Sequence, residues 1–256
     1  MNIKVNKLID ILKSKYMMKF SQKVFKGKNY NVKYVLKTNK KSKDLLLVFT
    51  SCTKVGQTAR YNYVRTLDKY NCNKLFILDD FGFDSRGAYY LGKDKDFAIK
   101  DDVKDLINEV IKNLNTEKNI FIGSSKGGYA ALYFGLSIEN SIIITGAPQF
   151  KLGNYLNLPG HKNILKYIMG DTNEESIEYL NDIMEKEIEN NKSNNNSIHI
   201  HYSKNEENYE SDIKHLITCL NDAKIKKYED IKEYQKHSEL TNYFPRYIDN
   251  TLELYL

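Results

Sequence analysis

Residues 119–136, NIFIGSSKGGYAALYFGL, decide the fold of this 256-residue chain. The stretch passes from a short apolar segment through a glycine-flanked turn to a longer apolar segment, which predicts a strand, a tight turn and a helix. Gly123, Ser125 and Gly127 match the pattern G-x-S-x-G. In this pattern the turn holds the serine in a strained backbone, and the glycines let strand and helix cross closely. We therefore predict that Ser125 is a nucleophile.

The same pattern has a second interpretation, a glycine-rich turn that binds a phosphate or only packs. The sequence contains neither G-x-x-x-x-G-K-[ST] nor G-x-G-x-x-G, which disfavours a nucleotide-binding turn. The predicted helix would place its positive end, and the N–H of Lys126, where an oxyanion would form.

Charge and cysteine content exclude several classes of protein. The net charge is +6, from 39 basic and 33 acidic residues, and the lysines are spread along the chain, so we expect no nucleic-acid partner. Cys52, Cys72 and Cys219 have no metal-ligand spacing and no disulfide pattern, so we predict no metal and a reducing, cytoplasmic location. The sequence implies no cofactor.

The first 20 residues contain scattered lysines and no continuous apolar core, so we predict neither a signal peptide nor a transmembrane segment. They match an amphipathic helix, and packing on its own domain is favoured over membrane contact. A peripheral position at the membrane face stays open. The apolar positions of this helix are Ile3, Leu8, Ile9, Ile11 and Leu12.

Apolar strand patterns alternate with helical patterns along the rest of the chain. Residues 44–50, 74–78, 119–123 and 141–145 are continuous apolar runs, typical of strands covered on both faces. We predict the α/β class and an α/β-hydrolase fold, with a mostly parallel central sheet and helices on both faces. Residues 1–256 would form a single domain, with a helical cap insertion at about 150–192.

The partners of a serine nucleophile follow it in the order acid, then histidine, in α/β-hydrolases. His237 lies in a loop between the last predicted strand and the C-terminal helix. The acid should follow the strand that ends at Tyr202, where Glu206 is the first choice and Glu207 the alternative. We predict Ser125, His237 and Glu206 as the catalytic triad, against a helix-capping role for the histidine and a first-turn role for the acid.

A second oxyanion donor usually comes from the loop after an earlier strand. Here that loop begins at residue 50, and a backbone N–H of Ser51 or Cys52 is the candidate. Nothing in the sequence around Cys52 would lower the pKa of its thiol, so we predict a small buried residue and not a nucleophile.

Several phrases together resemble a branch of bacterial α/β-hydrolase proteins, which includes capsular-polysaccharide biosynthesis proteins and accessory Sec system glycan O-acetyltransferases. The phrases are ARYNYVRTL (59–67), DDFG (79–82), RGAYYLG (86–92), GSSKGG (123–128) and GAPQ (146–149). The resemblance spans roughly residues 45–240. It implies a Ser–acid–His site acting on acyl esters of sugars.

The resemblance also implies a substrate pocket near the end of the strand at residues 74–78. Asp80 would line it, Arg86 would pair with a carboxylate or phosphate, and Tyr89 and Tyr90 would stack on a sugar face. The alternative is that Asp80 and Arg86 only brace this loop.

Two classes of function follow from these observations. The first is a serine esterase or O-acyltransferase that acts on acetylated glycans or surface polysaccharide through an acyl-enzyme. The second is a catalytically silent scaffold of the same fold, which would assist glycosyltransferases or a secretion complex. A peptidase of this fold is a third, weaker reading.

Overall fold

A computed structural model describes residues 3–256 of the chain, without the side chains of residues 3 and 4, and eight strands within it form one sheet. Ile3 of the predicted apolar stripe therefore has its side chain outside the described residues. The strands are β1 (Lys23–Lys26), β2 (Asn31–Lys37), β3 (Asp44–Phe49), β4 (Asn73–Leu78), β5 (Lys118–Ser124), β6 (Ile142–Gly146), β7 (Ser197–Ser203) and β8 (Lys226–Lys232).

The spatial order of the strands is β1-β2-β4-β3-β5-β6-β7-β8. The pairs β1–β2 and β2–β4 are antiparallel, and every other pair is parallel. The carboxyl ends of β3 to β8 consequently meet at one edge of the sheet, where ligands of open α/β folds bind.

Helices cover both faces of this sheet. They are α1 (Ile3–Phe20), α2 (Val64–Leu67), α3 (Ala98–Leu114), α4 (Lys126–Leu136), α5 (Leu152–Leu156), α6 (Lys162–Met169), α7 (Glu174–Asn191), α8 (Lys214–Asp222) and α9 (Leu240–Leu252). A π-helical turn spans Tyr209–Ile213, and a 3-10 turn spans His237–Glu239.

The continuous apolar strands serve two hydrophobic cores. Along β3, Leu45 and Leu47 pack with α3, α4, α7 and α8, whereas Leu46 and Val48 pack on the opposite face with α1, α2 and α9. Successive side chains of a strand point to opposite faces, so a strand that is apolar throughout requires cover on both sides. The predicted α/β-hydrolase fold is confirmed.

The segment predicted as a cap contains α5, α6 and α7. Leu180, Met184 and Ile188 of α7 are fully buried in the same core as α3 and α4, so α7 is part of the helical layer on the sheet. Residues of α5 and α6, such as Leu152 and Leu165, are buried in the same core. Strand β1 was not predicted from the sequence. Its four residues are two lysines, one valine and one phenylalanine, which is too short and too polar a stretch to form a recognisable apolar strand pattern.

None of the helices in residues 3–256 is long and apolar enough to cross a membrane. The structure therefore gives no membrane-spanning helix within this range.

Candidate active site

Ser125 lies between β5 and α4 in a strained backbone conformation, with φ 52° and ψ −124°. Glycine is required on both sides of it. A Cβ on Gly123 would lie 2.0 Å from the carbonyl oxygen of Gly127, and a Cβ on Gly127 would lie 2.7 Å from the carbonyl oxygen of Phe49. The turn therefore has the sharp strand-to-helix geometry that the G-x-S-x-G pattern predicts.

Hydrogen bonds hold this turn from several sides. The N–H of Ser125 donates to the carbonyl of Gly146 at 2.8 Å, and its own carbonyl accepts from the N–H of Tyr129 at 2.9 Å. Its hydroxyl oxygen accepts from Nε2 of Gln149 at 3.4 Å. The amide oxygen of Gln149 in turn accepts from the hydroxyl of Tyr89 at 3.3 Å. Gln149 lies in the phrase GAPQ, but nothing in the sequence alone assigned it a role beside the serine.

A second network lies behind the turn, around Ser124. The hydroxyl of Ser51 is 3.0 Å from both the carbonyl oxygen and the hydroxyl of Ser124, and the hydroxyl of Tyr63 also bonds Ser124. The N–H of Ser51 donates to the side chain of Asn62 at 2.8 Å. The N–H of Ser51 is therefore engaged, and Ser51 contacts the turn through its hydroxyl alone.

Cys52 is the other residue predicted as an oxyanion donor. Within residues 3–256 its N–H has no hydrogen-bond acceptor, so it is available at the catalytic edge. Burial raises the pKa of its thiol, with the charges of Lys126 and Arg86 opposing this effect. The thiol is thus neutral near pH 7, which fits the predicted small residue and not a nucleophile.

Glu206 and His237 meet at the same edge of the sheet. Glu206 follows β7 and has a fully buried side chain, and its Oε1 lies 3.4 Å from Nδ1 of His237. The other carboxylate oxygen of Glu206 and Nε2 of His237 are buried with no partner among residues 3–256. Glu207, the alternative acid, is exposed. The structure places Glu206, and not Glu207, against the histidine.

The loops that carry this pair are themselves fixed. Ser203 accepts from the N–H of Asn205 at 3.1 Å and donates to the carbonyl of Tyr234 at 2.6 Å, which links the two loops. The carboxylate of Glu239 accepts from the N–H of Gln235 at 3.0 Å. No hydrogen bond joins Ser125 to His237 in the described part of the chain, so Gln149 is the side-chain partner of the serine in this structure.

The side chain of Lys126 is fully buried and not open to a ligand. It forms a fully buried ion pair with Asp79, while its backbone N–H stands at the first position of α4. An N–H at that position has no acceptor within the helix, which leaves it free for a ligand. The predicted oxyanion role of Lys126 thus rests on its backbone alone.

The four residues predicted to bind substrate lie in different surroundings. Asp80 pairs with Lys33 on β2. Arg86 is almost fully buried; it pairs with Asp84 at 2.6 Å and donates to the carbonyls of Thr53 and Gly160. Both charges are therefore engaged in ion pairs within the protein.

Tyr89 and Tyr90 are buried, at 2% and 0% exposed. The Tyr90 hydroxyl donates to the carbonyl of Ile77 at 3.0 Å, and its ring packs edge-on against Phe49. In this conformation neither ring has a face open to a sugar. Both tyrosines therefore lie deeper in the core than the sequence-based prediction assumed. Their positive φ angles turn this segment back into the core.

His161 is a site residue that the sequence did not single out. It stands at the start of α6, its ring stacks on Tyr155 at a centroid distance of 4.5 Å, and its Nδ1 is buried with no partner in the described range. Burial lowers its pKa, and the charges of Arg86 and His237 lower it further. A second, neutral imidazole therefore lies within electrostatic range of His237.

The sheet order, the strained serine and the acid–histidine pair after β7 and β8 define the α/β-hydrolase class. The chain belongs to the accessory Sec system GspB-transporter family, whose model matches residues 70–252. The resemblance inferred from the sequence is thereby confirmed.

Solved structures share this fold. The capsule O-acetyltransferase of Neisseria meningitidis serogroup A is 24% identical, over 90% of this chain and 93% of that one, with a TM-score of 0.76. The glycosylation associate protein (Gap123) complex of Streptococcus agalactiae contains a chain that is 20% identical, with a TM-score of 0.75. The match covers 91% of this chain and 46% of that one, so this chain spans about half of that protein.

A serine hydrolase gives a more distant match. The fluorophosphonate-binding serine hydrolase F of Staphylococcus aureus is 14% identical, over 91% of this chain and 96% of that one, with a TM-score of 0.61. No curated protein is significantly similar to the chain in sequence.

Proposed function

We propose that the chain is a serine-dependent acyltransferase or esterase that acts on acetylated glycans or surface polysaccharide. The observation that carries this proposal is the strained Ser125 at the start of α4, on the same sheet edge as the buried Glu206–His237 pair. A serine so placed, with an imidazole and a carboxylate from later loops, matches the requirements of acyl transfer.

In the first step, the hydroxyl of Ser125 attacks the carbonyl carbon of an acyl ester or thioester. His237 takes the hydroxyl proton at Nε2, the nitrogen that has no partner in the described structure. Glu206 bonds Nδ1, which fixes the ring orientation and stabilises the imidazolium. His237 then passes the proton to the leaving alcohol or thiol, and the acyl-enzyme remains on Ser125.

The negative charge of the tetrahedral intermediate needs two donors. The N–H of Lys126, with the positive end of α4 behind it, is the first, and the N–H of Cys52 is the second. We assign the second position to Cys52 and not to Ser51, because the N–H of Ser51 already donates to Asn62.

In the second step a nucleophile attacks the acyl-enzyme, with His237 now acting as base toward its proton. Water gives an esterase and a sugar hydroxyl gives an O-acyltransferase.

Three exposed apolar side chains, Val55, Phe83 and Leu158, lie in the loops that Arg86 links. Such a rim suits the apolar face of a sugar or an acyl donor.

The test is acetyl transfer from p-nitrophenyl acetate and from acetyl-CoA, with and without glycan acceptors, by the wild type and Ser125→Ala. CoA is included because the meningococcal O-acetyltransferase is described in complex with it. We expect turnover by the wild type, acceleration by the right acceptor, and loss of both in the variant. Turnover that Ser125→Ala retains in full would refute the assignment.

A silent scaffold is the second candidate, and specific observations favour it. Ser125 has no hydrogen bond to His237, and the Glu206–His237 contact of 3.4 Å is long. The family is that of accessory Sec system transporters, and one structural relative belongs to a multi-protein complex, as a scaffold would. Catalytic hydrogen bonds in unliganded enzymes are often long, however, so this geometry is compatible with both candidates.

A further inference from the structure

Helix α1 presents a row of apolar side chains to solvent. Val5, Leu8, Leu12, Tyr16 and Phe20 are 44–63% exposed, and their spacing of three or four residues places them on one face of the helix. The row extends over about 22 Å at the rise of an α-helix. Large apolar side chains that are exposed singly need no explanation, but a continuous row of five does.

The opposite face of α1 already packs on the protein. Met17 and Ser14 are buried, and Asp10 accepts from the N–H of Arg65 at 2.9 Å. The buried face of α1 is thus partly polar, whereas Leu8 and Leu12 of the predicted stripe lie in the exposed row. The exposed row is therefore not used to pack α1 on its own domain.

The net charge of the chain is concentrated in the same region. Residues 1–28 contain eight lysines and one acidic residue, Asp10, a net charge of +7, whereas the whole chain carries +6. The remaining 228 residues are thus nearly neutral, at −1.

Several of these lysines border the exposed row. Lys15 and Lys19 are exposed, and Nζ of Lys19 lies 5.1 Å from the ring centroid of Phe20. Tyr16 and Phe20 contact each other at a centroid distance of 4.8 Å, so one end of the row is aromatic. Apolar residues flanked by lysines, with aromatic side chains at an end, form the pattern of a helix that lies in a membrane interface.

We propose that α1 docks on a bilayer containing anionic phospholipid, with the row from Val5 to Phe20 in the headgroup boundary and the lysines against the phosphates. A single projecting helix is convex, which suits a soft bilayer surface better than a groove on a folded partner. Because α1 is too polar to cross a membrane, it lies along the surface.

The test is flotation of the full chain with vesicles of phosphatidylcholine alone or mixed with phosphatidylglycerol. We expect binding to the mixed vesicles only, falling as salt rises. Leu8→Gln with Leu12→Gln should weaken binding about tenfold or more, because two apolar side chains no longer insert. Lys15→Gln with Lys19→Gln should weaken it roughly fivefold per lysine. Leu254→Gln, which removes a side chain that is 72% exposed outside α1, is the matched control and should bind as the wild type.

Three results would overturn the proposal. The first is that the wild type does not bind the mixed vesicles at low salt. The second is that the variant with Leu8→Gln and Leu12→Gln retains binding in full. The third is that the wild type is a dimer in solution and this variant is a monomer. The dimer would identify a second copy of the chain as the occupant of the row. All of these side chains are exposed, so the variants should fold, which circular dichroism checks.

Discussion

Nζ of Lys126 lies 2.8 Å from Oδ2 of Asp79, and neither side chain has any exposed surface. The same ammonium donates to the carbonyl of Arg86 at 3.0 Å. Asp79 accepts from the N–H groups of Ala88 and Tyr90 at 2.9 and 3.2 Å. Lys126, the residue after Ser125, therefore joins the strand-to-helix turn to the segment that follows β4.

Removing one charge of this pair should destabilise the fold strongly. Asp79→Asn leaves a buried ammonium without its counter-charge, so we expect a loss of about 3–5 kcal/mol in the free energy of unfolding. Urea unfolding measures it. Asp80→Asn is the control, because its partner Lys33 is partly exposed to solvent, and it should cost under about 1 kcal/mol. Equal losses for the two variants would contradict the structural role of the pair.

The acid of the triad can be identified by a matched pair of variants. Glu206→Gln should lower kcat/KM by about 10²-fold or more, because an amide cannot stabilise the imidazolium of His237. Glu207→Gln should leave kcat/KM within about twofold, since that side chain is exposed. Steady-state ester hydrolysis decides between them, and the reverse ranking would assign the role to Glu207.

The glycines around the nucleophile should be intolerant of any side chain. Gly123→Ala would place a Cβ 2.0 Å from the carbonyl oxygen of Gly127, and neither backbone can move without opening the turn. We expect a loss of about 3 kcal/mol or more, measured by thermal or urea unfolding. Gly160→Ala meets nothing within 4 Å and should change stability by less than about 1 kcal/mol. A stable, active Gly123→Ala protein would contradict the close crossing.

His199 should make the fold sensitive to acid. Burial, followed by the charge of Lys226, lowers its pKa from 6.5 to about 4. Between these values the unfolded chain binds more protons than the folded one, so stability falls as pH falls from about 7 to 4. The full difference is about 3 kcal/mol.

The variant His199→Gln should lose less stability over this range, because its side chain does not titrate. His215→Gln, on the exposed face of α8, should follow the wild type. Urea unfolding at several pH values gives the comparison. A wild-type profile that His199→Gln reproduces unchanged would show that the acid sensitivity arises elsewhere.

The sheet could be predicted from the sequence because its strands are continuous apolar runs and its turn has a distinctive glycine pattern. Glu206 and His237 were chosen from the order that the fold imposes along the chain, and the structure places them 3.4 Å apart; their catalytic role stays a prediction. The apolar runs and the glycine pattern lie within short stretches of sequence, so they can be recognised without knowledge of the tertiary structure. Strand β1 carries no such signal. It is a short strand with two lysines, and it pairs only with β2 at the edge of the sheet.

What the sequence could not give depends on contacts between distant residues. Tyr90 carries the pattern of a loop residue, yet positive φ angles and the buried Lys126–Asp79 pair draw it into the core. Gln149 and His161 reach the site only because the segment after β6 folds back over the catalytic edge. The periodicity of apolar residues and the spacing of motifs do not show where the chain folds back, so neither residue could be assigned to the site from the sequence.

Labelling of the full chain with a fluorophosphonate probe, followed by peptide mapping, shows whether Ser125 is an activated serine when the wild type is compared with Ser125→Ala. A serine activated by His237 reacts covalently, whereas an ordinary serine does not. We expect one label on the wild type, at Ser125, and none on the folded variant. A folded wild-type protein that stays unlabelled, or a label that Ser125→Ala retains, would contradict this expectation.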